Sequence, residues 1–329
     1  MSNLFETNHL VQIGLICDDI ESVKSNWAEF LESDVPTTIP SEKYRTTNIQ
    51  FLGEPAYHAC TNGAAFHLGN PMEVEFELLR PIGRVPSEWE NFLVEHGTGL
   101  HHVAIRVKDA PDKAKKAQAA GLVLRQTGYF GEGIGRYAYL DARKDLKLTL
   151  ELTEDPEQPK DSEQPENTPA GEKRPAPVIR IAESIRSPEY IGVVVKNLDE
   201  VLSAYKRVFD LEPAAIKDCT RQARLNGSAD MEIVRCRSAV IDFEGVRLNF
   251  IEPVSERSVW STSFAQSGEG LHHLAFPVKD LTAALDRYQK QGWAPLQIAA
   301  REDGTPVSAY LDTKEDLGCI LELIEKEDF

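Results

Sequence analysis

The sequence predicts an α+β chain of four similar βαβββ modules, which form two domains with curved mixed sheets. Four stretches begin alike, each with a short apolar strand that has a small residue at its third place and stops at an acidic or amide residue. A helical pattern and further strand-like segments follow each stretch. A proline-rich segment separates the modules into two pairs. The four stretches begin at Gln12, His102, Tyr190 and His273.

The helices of the modules are predicted from the spacing of their apolar residues. In the second module an alanine- and lysine-rich stretch around Ala114 and Ala117 is expected to end at Gly121. In the third module apolar residues recur every three or four positions, as in an amphipathic helix. These residues are Leu198, Val201, Leu202, Tyr205, Val208 and Phe209.

The two halves of the chain are related by an internal duplication. A Gly-Leu-His-His segment occurs in each half, and the interval from His102 to His273 equals the interval from Glu151 to Glu322. Register that is kept over so long a span indicates a repeat rather than chance. The matched residues therefore occupy equivalent places in the two halves.

The segment between the halves has the composition of an exposed linker. The stretch from Glu154 to Pro177 is rich in proline and charge and has no aliphatic periodicity. Such a stretch cannot bury a core. We therefore predict an N-terminal domain over 1–153, an acidic linker over 154–186 and a C-terminal domain over 187–329.

The composition of the chain limits the kinds of molecule that it is expected to bind. The chain has 329 residues, 41% of them hydrophobic, and a formal net charge of −17, which argues against binding to nucleic acid or to anionic membranes. No apolar run is long enough to span a bilayer, and the start lacks the features of a signal peptide. The five scattered cysteines are typical of reduced thiols in the cytoplasm. We expect a cytoplasmic protein that binds a small molecule, as a monomer or a homodimer.

Strand alternation places four polar side chains on the open face of the N-terminal half. His102 and Glu151 are predicted on that face, whereas His101 points the other way and is expected to be structural. If modules one and two pair edge to edge, Gln12 and Glu77 converge with them. These four residues are called the quartet below. An imidazole, two carboxylates and an amide oxygen suit one divalent ion such as Zn, Mn, Co or Ni.

A row of carboxylates on one predicted strand is the second indication of a cation. Glu73, Glu75 and Glu77 are expected on the same strand face, where they repel one another unless a positive charge compensates them. The alternative is a row of solvated edge carboxylates. His102 alone would equally fit a hydrogen-bonded core histidine, and Gln12 needs no metal.

The C-terminal half does not repeat the quartet. Its equivalent residues are Tyr190, Asn249, His273 and Glu322. A phenol and an amide are poor replacements for a ligand amide and a carboxylate. The second half is therefore predicted to be a degenerate or repurposed copy, in which Tyr190 could still bind a ligand as a hydrogen-bond donor.

Four such modules, with a candidate ligand in the first strand and another in the last, resemble the vicinal oxygen chelate superfamily. That family includes glyoxalase I, methylmalonyl-CoA epimerase, extradiol dioxygenases and bleomycin-resistance proteins. The resemblance covers nearly the whole chain outside the linker and is most specific at Gly99-Leu-His-His-Val-Ala and Ala309-Tyr-Leu-Asp. The quartet is similar to the Gln/Glu/His/Glu ligand set of some glyoxalase I enzymes. By that resemblance one ion would lie in the first half, with two positions open to water or substrate.

The pairing of the modules has two possible forms. In some fused glyoxalases the first module pairs with the fourth, and Gln12 and Glu77 would then meet His273 and Glu322. The short bridge between modules one and two favours pairing within each half.

Three functions remain open at this point. The resemblance favours a metal-dependent isomerase or lyase of the glyoxalase or epimerase type, in which Glu151 or Glu77 removes a proton and an enolate forms. An extradiol-type ring-cleaving dioxygenase is the first alternative, although it needs Fe(II) or Mn(II) on two histidines and a carboxylate. A small-molecule binding protein without catalysis is the second.

Overall fold

The computed structural model describes residues 3–40, 46–69, 73–130, 135–155, 182–184 and 186–326. The helices of the N-terminal half are α1 (Ile20–Leu31), α2 (Glu88–His96) and α3 (Ala110–Ala119). Its strands are β1 (Leu10–Ile16), β2 (Thr47–Phe51), β3 (Glu54–Pro55), β4 (Thr61–Leu68), β5 (Val74–Pro81), β6 (Gly99–Arg106), β7 (Val123–Phe130), β8 (Gly135–Asp141) and β9 (Thr149–Glu154).

The C-terminal half follows the short strand β10 (Ala182–Ser184) and has a similar order of elements, without an equivalent of β3 among its described residues and with one more helix before its last strand. Its helices are α4 (Leu198–Phe209), α5 (Val259–Ser267), α6 (Leu281–Lys290) and α7 (Lys314–Leu317). Its strands are β11 (Tyr190–Val194), β12 (Lys217–Leu225), β13 (Glu232–Phe243), β14 (Val246–Pro253), β15 (Gly270–Val278), β16 (Pro295–Ala300), β17 (Pro306–Leu311) and β18 (Ile320–Glu325).

Each half forms one curved mixed sheet. The N-terminal sheet has ten strands in the order β10-β4-β5-β1-β6-β9-β8-β7-β2-β3. The C-terminal sheet closes into an eight-stranded barrel in the order β11-β14-β13-β12-β16-β17-β18-β15. The antiparallel pairs β1–β6 and β11–β15 join the two modules of each half. The predicted fold class is confirmed, and the modules pair within each half.

The first sheet differs from the second in how it ends. In the barrel, β12 pairs with both β13 and β16. In the first half β2 pairs with β7 and β3, and the sheet ends at β3 and β10. The strand β10 pairs with β4 although its residues fall inside the predicted linker, and Glu154 ends β9. Residues 156–181 and 185 of that predicted linker lie outside the described residues.

The predicted helices of the second and third modules are confirmed. The apolar residues that predicted α4 are all buried, and Gly121 follows α3 with a φ of 97°. Helix α1 begins at an N-cap, Asp19, whose side chain accepts a hydrogen bond from the backbone N–H of Ser22. Its C-cap, Glu32, is left-handed with a φ of 54°.

The helices of both halves share one hydrophobic core. Phe30 of α1 packs against Phe276 of the second half, with ring centroids 4.8 Å apart. The indole Nε1 of Trp27 donates to the backbone oxygen of Leu317 at 2.9 Å. A second such bond runs from the second half to the first: the hydroxyl of Tyr205 donates to the backbone oxygen of Leu146 at 3.0 Å. The buried helices thus leave the opposite face of each sheet available for a site. Within the described ranges, no helix is both long and apolar enough to cross a membrane.

Candidate metal centre

The register of three neighbouring strands brings the quartet together. Strand β1 lies between β5 and β6, so that Gly14 is the direct partner of Glu77 on one side and of His102 on the other. On the far side of β6, Ala104 is the partner of Glu151 on β9. Because alternate residues of a strand share a face, this register directs the side chains of the quartet to the open face.

Gly14 makes room for the imidazole of His102. A Cβ atom on Gly14 would lie 1.8 Å from His102 Cε1, a distance that two atoms cannot adopt. The second half repeats the arrangement, because a Cβ on Gly192 would lie 1.8 Å from Cε1 of His273. The small residue at the third place of the β1 and β11 stretches therefore has a steric cause. It lets the ring of the neighbouring strand lie across the sheet.

The donor atoms of the quartet surround His102 Nε2. Glu151 Oε2 lies 3.0 Å from that nitrogen, Gln12 Oε1 lies 3.3 Å from it and Glu77 Oε2 lies 3.9 Å from it. His102 is fully buried, and 12% of the side-chain surface of Glu77 is exposed. Modules one and two therefore bring together the four residues that the sequence singled out.

Glu75 orients the amide of Gln12. The Gln12 Nε2 donates to Glu75 Oε1 at 2.7 Å, which turns the amide oxygen toward His102. The orientation follows from this hydrogen-bond pattern. Burial raises the pKa of Glu75, although the bond from Gln12 opposes that rise. Glu73 does not belong to this row, contrary to the sequence prediction. It precedes β5 with a φ of 38°, and its side chain is exposed.

The centre carries more negative charge than its protein partners compensate. Burial raises the pKa of Glu77 well above its usual range, and the neighbouring carboxylates of Glu151 and Glu75 raise it further. Glu151 Oε2 is buried and makes no hydrogen bond of regular geometry, in spite of its 3.0 Å approach to His102. A buried carboxylate without a donor is costly. A divalent cation would compensate it.

The donor set fits a divalent ion in its chemistry. Its nitrogen and carboxylate oxygens are typical ligands of Zn and its neighbours, and the orphaned oxygen of Glu151 adds an available lone pair. The described residues contain no group of three or more His, Cys, Asp or Glu side chains already spaced to hold a metal ion. Binding at the quartet would therefore need side-chain rotations, such as opening the 3.0 Å contact between His102 and Glu151.

The cavity beside the quartet is small and partly aromatic. Its volume is about 230 Å³. One ring of this wall, Tyr139, meets His102 edge to face with centroids 5.1 Å apart, and Trp89 Nε1 donates to the Tyr139 hydroxyl at 3.2 Å. The lining residues beyond the quartet include Trp89, Phe130, Tyr137, Tyr139, Arg106 and Thr61.

His101 contacts the quartet from behind. Its Nδ1 lies 2.9 Å from Nδ1 of His102, so one ring must carry the shared proton. If Nε2 of His102 is to bind an ion, Nδ1 of His102 carries that proton and donates it. Burial lowers the pKa of His101 to about 4, which keeps this ring neutral and able to accept. The sequence prediction treated His101 as structural only and missed this contact.

Glu88 is a further residue that the sequence did not single out. Its Oε1 lies 3.9 Å from His101 Nε2, and its Oε2 accepts from Arg125 Nε at 2.8 Å. Glu88 is the first residue of α2, which follows the N-cap Ser87. The sequence signal that could have identified Glu88 is its place in the first turn of a helix. Carboxylates are common there because they interact favourably with the helix dipole, so the signal does not point to a site.

The equivalent place in the second half is filled by its own side chains. The Tyr190 hydroxyl donates to Glu322 Oε2 at 2.6 Å, and His273 Nε2 lies 3.1 Å from the same oxygen. Behind it, His272 Nε2 lies 2.8 Å from the Ser263 hydroxyl oxygen, in place of the contact between His101 and Glu88. The Tyr190 phenol thus occupies the space that a metal ion bound to His273 would need.

Comparison with known proteins agrees with the fold. The model of the Glyoxalase/Bleomycin resistance protein/Dioxygenase superfamily matches residues 11–139 and 189–308, one segment in each half. No curated protein matches the chain. A mutant 4-hydroxymandelate synthase from Streptomyces coelicolor is similar in structure, with a TM-score of 0.55 and 14% identity, over 97% of this chain and 92% of that chain.

A shorter solved chain matches less than half of this chain. Methylmalonyl-CoA epimerase from Mycobacterium tuberculosis is 19% identical with a TM-score of 0.31, over 42% of this chain and 86% of its own. The similarity to the 4-hydroxymandelate synthase, at 14% identity, is one of fold alone. The family model covers well over half of the sequence, and the chain belongs to the Glyoxalase/Bleomycin resistance protein/Dioxygenase superfamily.

Proposed function

We propose that the chain is a divalent-metal-dependent isomerase or lyase, which acts through an enolate-type intermediate on a small carbonyl or vicinal-oxygen substrate. The observation that carries the proposal is the convergence of Gln12, Glu77 and Glu151 on His102 Nε2, with more carboxylate than the surrounding protein compensates. We further propose that it works in the cytoplasm as a monomer or homodimer.

The quartet would hold one ion, with Zn, Mn, Co or Ni preferred to Fe. When bound, the ion supplies Lewis acidity that stabilises negative charge on a substrate oxygen. Gln12 contributes a neutral oxygen that Glu75 holds in place. His102 contributes Nε2 while its other nitrogen bonds to His101. These contacts restrict the ligands before the ion arrives, which favours binding.

Glu151 and Glu77 are the candidate groups for proton transfer. Glu151 is 6% exposed, and its Oε2 has no hydrogen-bond donor of regular geometry, so this oxygen is available to accept a proton from a carbon acid. Burial and two neighbouring carboxylates raise the pKa of Glu77, which makes its carboxylate a stronger base. A proton taken by one carboxylate could be returned by it or by the other. Such transfer involves no redox change.

The cavity favours a small substrate. Its volume of about 230 Å³ lies below the ~300–1,000 Å³ of pockets that hold drug-sized ligands. Aromatic side chains such as Trp89 and Tyr137 keep water away from the carboxylates, which strengthens their interaction with a bound substrate. The guanidinium of Arg106 at the cavity wall is paired with Asp155 at 2.7 Å.

The donor set argues against the dioxygenase alternative. That chemistry requires two histidines at one ion, and the imidazole in contact with His102 is that of His101, whose Nδ1 is already bonded to His102. The duplicated His273 belongs to the other sheet. A binding protein without catalysis remains distinguishable by experiment, because it would not exchange substrate protons.

Metal analysis and proton exchange test the proposal together. We expect one equivalent of a divalent metal per chain, and deuterium uptake from heavy water into small ketones or thioesters. The Glu151→Gln variant should keep its fold and lose exchange, whereas Glu73→Gln, on an exposed side chain outside the row, should behave as the wild type. Metal without exchange on any carbonyl substrate would favour the binding protein. The absence of metal uptake on titration would refute the proposed centre.

A further inference from the structure

Two cysteines of the C-terminal barrel lie directly opposite each other. Cys219 of β12 and Cys236 of β13 are Cα partners in the antiparallel ladder, and both are free thiols. Directly opposite residues of such a pair share a face and have Cα atoms about 4.5–5.5 Å apart. A disulfide spans about 4.4–6.8 Å between Cα atoms. A bond between these sulfurs is therefore compatible with the observed strand pairing.

Both cysteines line a cavity that the proposed reaction does not use. The cavity has a volume of about 340 Å³ and includes Tyr190 and Glu322 in its wall. Cys236 is 6% exposed, whereas Cys219 is only half-buried. Cys219 is therefore the more accessible of the two sulfurs to a reagent in the cavity.

The surroundings of the pair shift the pKa values of the two thiols in opposite directions. Contact with the Cys236 thiol, together with Ser238 and the nearby cations Arg221 and Lys217, lowers the pKa of Cys219 to about 6. The same contact with Cys219, together with burial, raises the pKa of Cys236. These opposite shifts favour the thiolate form at Cys219 and the thiol form at Cys236.

The other cysteines with a perturbed pKa behave in the opposite way. Burial raises the pKa of Cys17 and of Cys319 to about 12, so neither is a nucleophile at neutral pH. The combination of an accessible sulfur and a partner across the ladder belongs to Cys219 and Cys236. Cys60 is half-buried and lies in the other half of the chain, which makes it a natural internal comparison.

We propose that Cys219 and Cys236 form a redox-active dithiol on the wall of the C-terminal cavity, which a low-molecular-mass disulfide oxidises to a cross-strand disulfide. The Cys219 thiolate attacks one sulfur of the reagent RSSR, forms a mixed disulfide and releases one thiolate RS⁻. Cys236 then loses its proton and attacks the Cys219 sulfur, and the second RS⁻ leaves. Two protein thiols are oxidised, and the reagent is reduced to two thiols RSH.

The bond would fasten β12 to β13 beside the cavity. The bridge closes the loop from 219 to 236, which contains the turn between the strands. Closing a loop restricts the unfolded chain, so the oxidised protein should melt at a higher temperature than the reduced protein. This proposal is independent of the metal centre, because the two cysteines lie in the other sheet.

The experiment treats the full-length protein with excess oxidised glutathione, stops the reaction with acid and maps the cysteines by mass spectrometry. We expect a chain lighter by two hydrogen atoms and a linked peptide pair that contains Cys219 and Cys236. In Cys236→Ser the reaction should stop at a stable glutathione adduct on Cys219. In Cys60→Ser the bridge should form as in the wild type.

Three results would overturn the proposal. The first is a persistent glutathione adduct on Cys219 of the wild type without a bridge, because the pair would then be unable to close. The second is reaction at Cys60 in preference to the pair. The third is no reaction at Cys219 in the folded protein. Each can be read from the wild-type protein alone, so a variant that fails to fold does not affect the decision.

Discussion

Gly14 and His102 are partners across the β1–β6 pair, and the imidazole fills the place where a side chain on Gly14 would begin. The contact positions Nε2 of His102 over β1, within 3.3 Å of Gln12 Oε1. The same relationship holds between Gly192 and His273 in the second half, although the residues equivalent to the rest of the quartet are partly of other types there. In both halves the glycine therefore makes the space in which the imidazole ring lies.

A methyl group at Gly14 should displace the imidazole. We expect Gly14→Ala to lower the free energy of unfolding by about 1–3 kcal/mol, as overpacking does, and to abolish metal binding. Denaturant unfolding and elemental analysis measure the two effects. The matched control is Gly63→Ala on β4, where the nearest atom to an added Cβ is 3.6 Å away. Metal retained in Gly14→Ala would show that the ring position is not needed.

Removal of single candidate ligands should show which half of the chain binds the metal. We expect His102→Ala and Glu77→Ala to lose metal and activity, since each removes a donor from the quartet. His273→Ala should keep the metal, because its imidazole already contacts Glu322 and Tyr190 is bonded to the same oxygen. Elemental analysis of the three purified variants decides the point. Metal lost on His273→Ala but retained on His102→Ala would place the centre in the other half.

Much of this arrangement was predictable because strands alternate. Val74, Phe76 and Leu78 alternate with Glu75 and Glu77 in the sequence, so apolar side chains that face the helix direct Glu77 to the other face, and Phe76 does pack on Trp27 with centroids 4.7 Å apart. The duplication added the match between His102 and His273. Alternation with a period of two groups the quartet on one face once modules one and two are taken to pair edge to edge.

Other features depend on contacts that no local pattern records. The bond between His101 and His102 joins neighbours whose side chains should diverge, and it exists because the rings turn toward each other beneath α2. Glu73 looked like a member of the carboxylate row, yet β5 begins one residue later after a left-handed turn. The first sheet stays open because β2, among the described strands, pairs with β7 and β3 and not with β4, whereas the equivalent β12 pairs with β13 and closes the barrel.

Neutralising one carboxylate should change the stability of the metal-free protein. Burial and nearby carboxylates raise the pKa of Glu77 above its unfolded value, so its contribution to stability is present at low pH and is lost as pH rises through the folded pKa. Glu77→Gln should therefore raise the free energy of unfolding by on the order of 1 kcal/mol at neutral pH, less under acidic conditions.

Unfolding by urea, with metal removed by a chelator, measures that difference across pH. Addition of Zn or Mn should then stabilise the wild type and leave Glu77→Gln unchanged, since a ligand stabilises the state that binds it. Glu73→Gln, with its exposed side chain, is the control and should match the wild type. A less stable Glu77→Gln would mean that the carboxylate is compensated without a cation.

His101 should act as a positioning residue for His102. Replacement of its ring by phenylalanine removes the acceptor at 2.9 Å, so we expect His101→Phe to weaken metal affinity by about 10–100-fold. His272→Phe makes the same change in the second half and should leave affinity unaltered. Titration with a metal-sensitive dye measures both variants. Equal losses in the two would indicate a general loss of stability, which contradicts a positioning role.

The pH dependence of alkylation should report the environment of Cys219. Because its pKa is lowered to about 6, the rate of reaction with iodoacetamide should be half-maximal near pH 6 and nearly flat above neutral pH. The Cys236→Ala variant loses the neighbouring thiol, which contributes most to lowering this pKa, so its profile should move to higher pH. Lys217, Arg221 and Ser238 remain in that variant and limit the movement. Peptide mapping at each pH gives the rate at Cys219 separately from Cys60. An identical profile in the two proteins would show that the thiols do not interact.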